Sequence, residues 1–157
     1  MPKAAPDRPH SVSPPGEYVI VASEYNREYV DGLLTHFETE LRSISPGSEV
    51  TVHRVPGAFE IPLMVQEAAS ILEPDAIVAF GVIIEGSTAH AGLIAGEITR
   101  ALMELGLEWE TPVIHEVLLV RDEAQARARC LGDEINRGAE AARAAVRMVD
   151  ALRVIRD

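Results

Sequence analysis

Gly86, Ser87, Thr88 and His90 sit together between an apolar run and a helical pattern, and their types suit chemistry on a phosphorylated small molecule. Main-chain amides at a helix start point outward and carry partial positive charge, which favours an anion. On spacing alone, a plain turn at Gly86 and an ordinary cap at Thr88 weigh about equally against that use. His90 follows within reach of the same amides. Histidine is the one side chain whose ordinary pKa suits proton transfer near neutrality, although a lone histidine is more often a surface or satisfied core residue. Arg129 offers a planar fork that matches phosphate; beside Arg127, taken alone, it reads as part of a solvated face. The net charge of −11 makes such local cations a requirement for any anion site.

The elements that must position these groups follow from hydrophobic spacing. Strands are expected at 18–22, 49–55, 75–84 and 112–120, the second with Val50, Val52 and Val55 inward. The run over 75–84 is nearly all apolar, as in a strand covered on both faces. Helices are expected at 29–44, with Val30, Leu33, Leu34, Phe37 and Leu41 on one face, and at 58–72, with Pro62 near its start. Three more fall at about 88–105, 123–130 and 136–153. Gly106 is expected to cap the third, and Ala142, Ala145, Val146, Val149 and Leu152 to face inward on the last. Alternation of this kind predicts an α/β three-layer sandwich, a four-stranded parallel sheet with helices on both faces. Ligands of open α/β sheets bind beyond the carboxyl ends of the strands. Here those ends are 23–26, 55–60, 84–90 and 118–122.

The bulk numbers narrow the function. A chain of 157 residues holds one domain with a full core. We expect that domain at 17–157, behind a mobile leader at 1–16 that carries five prolines. The acidic balance argues against nucleic acid and anionic membranes as partners. Cys130 is the single cysteine, no zinc spacing exists and no metal site is expected. No apolar run reaches membrane length and no signal peptide is visible, so the expected location is cytoplasmic. The glycine patterns of dinucleotide folds and nucleotide hydrolases are absent, as is a nucleophile elbow.

Four segments, in order, carry a more specific signal. They are Ser23-Glu24-Tyr25-Asn26; VPGAFEIP at 55–62; GVIIEGSTAH at 81–90; and EAQARAR at 123–129 followed by NRGAEAA at 136–142. Over 18–148 the chain resembles the 6,7-dimethyl-8-ribityllumazine synthases. VPGAFEIP followed by G-x-x-I-x-G-x-T-x-H is far more specific than a lone glycine motif.

The resemblance implies a flavodoxin-like sandwich of the lumazine synthase type and a cofactor-free transferase of riboflavin biosynthesis. That enzyme condenses 5-amino-6-(D-ribitylamino)uracil with 3,4-dihydroxy-2-butanone 4-phosphate. An amine attacks a ketone, water leaves, phosphate is eliminated and the ring closes. Carried over residue by residue, His90 is the proton-transfer group, while Gly86, Ser87, Thr88 and Arg129 bind phosphate. Tyr25, Asn26, Ala58, Phe59, Glu60, Val82, Ile83, Ile84, His115 and Arg137 bind the pyrimidine and ribityl chain. The resemblance also implies a homopentamer with sites shared between subunits, and leaves open a larger shell of pentamers. Some positions depart from the family pattern. Arg137 stands for a usual lysine, His115 for a frequent phenylalanine, Glu116 for a small residue and Glu85 for an often basic one. A non-catalytic flavin- or pteridine-binding protein, or a shell-forming paralogue, is the alternative.

Overall fold

The computed structural model describes residues 5–87 and 89–157. Its elements run β1 (Glu17–Ser23), α1 (Arg27–Ile44), β2 (Glu49–Val55), a 3-10 turn (Ala58–Glu60), α2 (Ile61–Leu72), β3 (Ala76–Ile84), α3 (His90–Glu108), β4 (Val113–Val120), α4 (Glu123–Cys130) and α5 (Arg137–Arg156). The four strands form one parallel sheet in the order β2-β1-β3-β4. This is the expected three-layer α/β architecture.

Period-two alternation sorts the strand residues between the two helical layers. Tyr18, Ile20 and Ala22 of β1 and Val78 and Phe80 of β3 pack with Val30, Leu33 and Phe37 of α1 and Ala142, Ala145 and Val146 of α5. Phe37 meets Phe80 edge-on at 5.8 Å between ring centroids. The opposite face joins Val19, Val21, Ile77 and Ala79 to Ile61 and Val65 of α2 and Ile98 and Leu102 of α3. Each fully buried valine, leucine, isoleucine or phenylalanine among them contributes about 1.5–3 kcal/mol. The glycine at the head of α5 brings that helix against α1: a Cβ on Gly138 would overlap the Leu33 carbonyl.

Two local expectations are corrected. Gly106 does not cap α3. The helix runs on to Glu108, and the amide of Trp109 closes it on the carbonyls of Leu105 and Leu107. The left-handed residue that turns the chain is Glu110, at φ 49°. Val52 is not inward but 36% exposed; it lies on an edge strand, opposite Ile20, with nothing outside it.

Residues 5–16 lie along α1 and α5. The Ser13 amide donates to the Ile44 carbonyl at 2.9 Å and its hydroxyl meets Asp150 at 2.6 Å. Arg8 grips Glu40 through two hydrogen bonds, and Arg143 reaches the same carboxylate at 2.7 Å. These contacts join groups distant in sequence, which a proline-rich composition does not reveal.

Candidate active site

Register places the strand ends level with one another. Ser23 pairs with Val55 and Ile84 with Val120, so the loops after β1, β2 and β3 gather at one edge of the sheet. The amide of Glu24 donates to Val55 at 2.8 Å and that of Tyr25 to Pro56 at 3.1 Å, which staples the first loop to the second. Asn26 then turns left-handed at φ 55°, a conformation its short polar side chain tolerates. Its side-chain amide crosses to the Val82 carbonyl at 2.7 Å.

The 3-10 turn holds Ala58, Phe59 and Glu60 against β1, β3 and α3. Glu60 reaches back so that one carboxylate oxygen accepts from the Gly57 amide at 2.9 Å. Gly81 permits this approach, because a Cβ there would press on Ile61 and Val117 at 3.2 Å. Beyond β3, Gly86 and Ser87 are exposed, and His90 opens α3, also exposed. Thr88 lies outside the described residues. Tyr25 and Phe59 project into solvent, 76% and 66% exposed. Val82 is buried and Ile83 and Ile84 are half-buried at the end of β3.

The remaining expected site residues stand elsewhere in the same chain. His115 pairs with Ala79, five positions before the end of the β3–β4 register, which is roughly 16 Å from that edge at the usual rise per residue. Its ring turns to the α3 side. The Val117 amide donates to Nδ1 at 3.1 Å, so Nε2 carries the proton and donates to Thr99 Oγ1 at 2.8 Å; Thr99 in turn donates to the Ala95 carbonyl. Burial lowers the His115 pKa, and both ring nitrogens are satisfied in the neutral form.

Arg129 sits half-buried in the last turn of α4. Among the described residues no hydrogen bond or ion pair engages its guanidinium, whereas Arg127 meets Glu28 at 3.5 Å. Arg137 opens α5, whose N-cap Asn136 accepts from the amides of Gly138 and Ala139. Three of its N–H groups are engaged: Nε and Nη2 donate to the two oxygens of Glu116, each at 3.0 Å, and Nη1 donates to Glu140. Glu116 is 5% exposed. Burial pushes its carboxyl up to about 7, more than Arg137 pulls it down, with Glu140 adding to the rise.

Glu116 is the residue whose part was not read from sequence. A signal was present, since a carboxylate within a largely apolar strand demands a partner. That partner lies 21 positions away, beyond any local pattern. The Asp31–Arg54 ion pair behind the first two loops was also unseen.

Beside β4, between α3 and α5, runs a groove of about 810 Å³ lined by Leu102, Met103, Leu107, Val113, Ile114 and Met148 among others. His115 borders it, while Tyr25, Glu60 and His90 do not.

The parallel sheet with helices on both faces puts the chain in the open-sheet α/β class, whose ligands bind beyond the carboxyl ends of the strands. Comparison with known proteins gives the family. Residues 16–153 match the family model described as 6,7-dimethyl-8-ribityllumazine synthase. A curated 6,7-dimethyl-8-ribityllumazine synthase from Azoarcus sp. (strain BH72) is 35% identical over 137 residues, covering 87% of this chain and 85% of that protein. The chain belongs to the 6,7-dimethyl-8-ribityllumazine synthase family. No helix among the described residues is long and apolar enough to cross a membrane.

Proposed function

We propose that the protein is an active 6,7-dimethyl-8-ribityllumazine synthase, acting in riboflavin biosynthesis on the ribitylaminouracil and the butanone phosphate. The observation that carries this reading is the convergence of Tyr25, Asn26, Glu60 and His90 at one sheet edge, within a chain of this family. Tyr25 stacks on the heterocycle, with Asn26 and the main chain of Val82, Ile83 and Ile84 on its polar edge. Glu60 accepts from ribityl hydroxyls through its outer oxygen, beside Ala58 and Phe59. Gly86, Ser87 and Thr88 cradle the phosphate with Arg129, and His90 moves protons as the amine adds to the ketone, water departs and phosphate is expelled. No step of this condensation calls for a metal or an organic cofactor, because holding two reactants in register supplies much of the rate.

In this reading the enzyme is a cytoplasmic homopentamer with a pocket at each junction. His115, Arg129 and Arg137 come from the neighbour of the subunit that offers Tyr25, Glu60 and His90. Three features support it: the distance of His115 from its own chain's sheet edge, the open edge of β4 and the apolar groove beside it. Mixing both substrates with the purified protein and following lumazine absorbance and fluorescence tests the activity. Product formation is expected. Its absence, with retained binding of a flavin or lumazine, would overturn the enzymatic reading in favour of a binding protein.

A further inference from the structure

We propose that Glu116 is the positioning residue for Arg137, fixing its guanidinium so that it meets the pyrimidine substrate with directed N–H groups instead of a free charge; this rests on the reading above. Five N–H groups belong to an arginine. Glu116 takes two and Glu140 a third, leaving one on each Nη nitrogen. The orientation is set from two sides, because Glu116 is anchored in β4 and Glu140 lies on α5 itself.

Stability does not account for Glu116. Replacing a buried ion pair by well-packed apolar groups is often neutral or favourable, and apart from His115 the rest of this strand is apolar. Charge gives the second argument. Arg137 stands between two carboxylates, so the cluster as a whole is not cationic when both are ionised. Such a fork suits the carbonyl oxygens of a neutral ring and is poorly suited to phosphate. Arg129, with no acid engaging it among the described residues, is the group suited to phosphate. The two arginines therefore divide the two substrates. The groups facing Glu116 are Arg137 and Glu140 from α5 and Cys130 from α4, with Arg129 next to that cysteine.

Steady-state kinetics on the full-length enzyme, varying each substrate in turn, tests this. Glu116→Gln keeps the shape but removes the charge-assisted grip. It should raise KM for the pyrimidine about tenfold, the scale of one hydrogen bond to a charged group, with kcat and the KM for butanone phosphate little changed. Added to Arg137→Ala, Glu116→Gln should cost nothing further. As pH falls through neutrality, kcat/KM for the pyrimidine should drop more steeply in the wild type than in Glu116→Gln, which keeps His90 and loses only the Glu116 contribution. An unchanged pyrimidine KM, or equal losses for both substrates, overturns the positioning role. If Glu116→Gln does not fold, Glu140→Gln reads the same fork from its other side, and an unchanged pyrimidine KM there overturns the proposal too. A wild-type enzyme that makes no product at all overturns instead the functional reading on which the proposal rests.

Discussion

The side-chain amide of Asn26 donates to the main-chain carbonyl of Val82 at 2.7 Å, tying the loop after β1 to the far end of β3. The β1–β3 pairing stops at Ala22 and Phe80, so Asn26 takes up a carbonyl just beyond the ladder. Asn26→Ala loses this bond and also forces alanine into a left-handed backbone. The expected cost is about 1 kcal/mol for the bond and about 1–2 kcal/mol for the conformation. Asn26→Gly should recover only the conformational part. Urea unfolding of the two variants separates the terms; equal stability for alanine and glycine would show that backbone strain contributes nothing.

His90 begins α3 in the open, where a substrate can reach it. His90→Ala should slow turnover by about 10²–10⁴-fold, the usual worth of general acid–base help, without abolishing it. An unchanged kcat in a folded variant would remove His90 from proton transfer.

Arg129 has no carboxylate engaging it among the described residues, in contrast to Arg127 and Arg137. Arg129→Ala should lower kcat/KM for the butanone phosphate far more than it weakens pyrimidine binding. Lysine there should restore only part, since a point charge lacks the fork. Varying each substrate separately decides the matter, and equal damage to both would mark a structural role.

Glu116 also makes stability depend on pH. Its folded pKa of about 7 lies above the ordinary 4.5, so between those values the native state holds more protons than the unfolded chain. Stability then falls as pH rises from about 4.5 through about 7, by on the order of a few kcal/mol. Glu40 acts in the opposite sense at the acid end. Burial of its carboxylate is outweighed by hydrogen bonds from Arg8 and Arg143, its pKa is lowered, and the stability it lends is lost as pH falls through that lowered value. Denaturant titrations at about pH 5 and about pH 8 should show a loss for the wild type that Glu116→Gln lacks. The same slope in both proteins would assign it to another group.

Most of the layering was legible because it follows from local repetition. The nearly all-apolar run over 75–84 reads as a covered strand, observed at Ala76–Ile84, and the helical spacing of Val30, Leu33 and Phe37 puts them on one face. What escaped has one of two causes. Val52 repeats like its neighbours, but burial also depends on which strands stand at the edges, and strand order is not written in the alternation. Glu116 and Arg137, like Ser13 and Asp150, meet through long-range packing that no window of sequence contains. The half-site proposed at the sheet edge comes from sequence position instead, since Tyr25, Glu60 and His90 lie in the segments that follow β1, β2 and β3.

The placement of that half-site carries the last prediction, which concerns assembly. His115 and the Glu116–Arg137 pair lie on opposite faces of β4, away from the loops that hold Tyr25, Glu60 and His90. A second chain seated along β4 would cover the groove there and bring its partner's sheet edge toward these groups. Covering apolar side chains such as Met103 and Leu107, exposed by 65% and 72%, would stabilise the contact by about 25 cal/mol for each Å² removed from water. On the assembly proposed from the family resemblance, light scattering should report a pentamer, or a larger shell of pentamers, at micromolar concentration. Leu107→Glu, which places charge in the groove, should shift the protein toward smaller species and lower activity with them. The sharing itself is tested by mixing. His90→Ala and Arg129→Ala damage opposite halves of each pocket, so co-refolded mixtures should contain junctions that received both intact halves. Activity should reappear above that of either parent and follow the mixing ratio. A fully active monomer, or mixtures no more active than the parents' average, would confine each site to one chain.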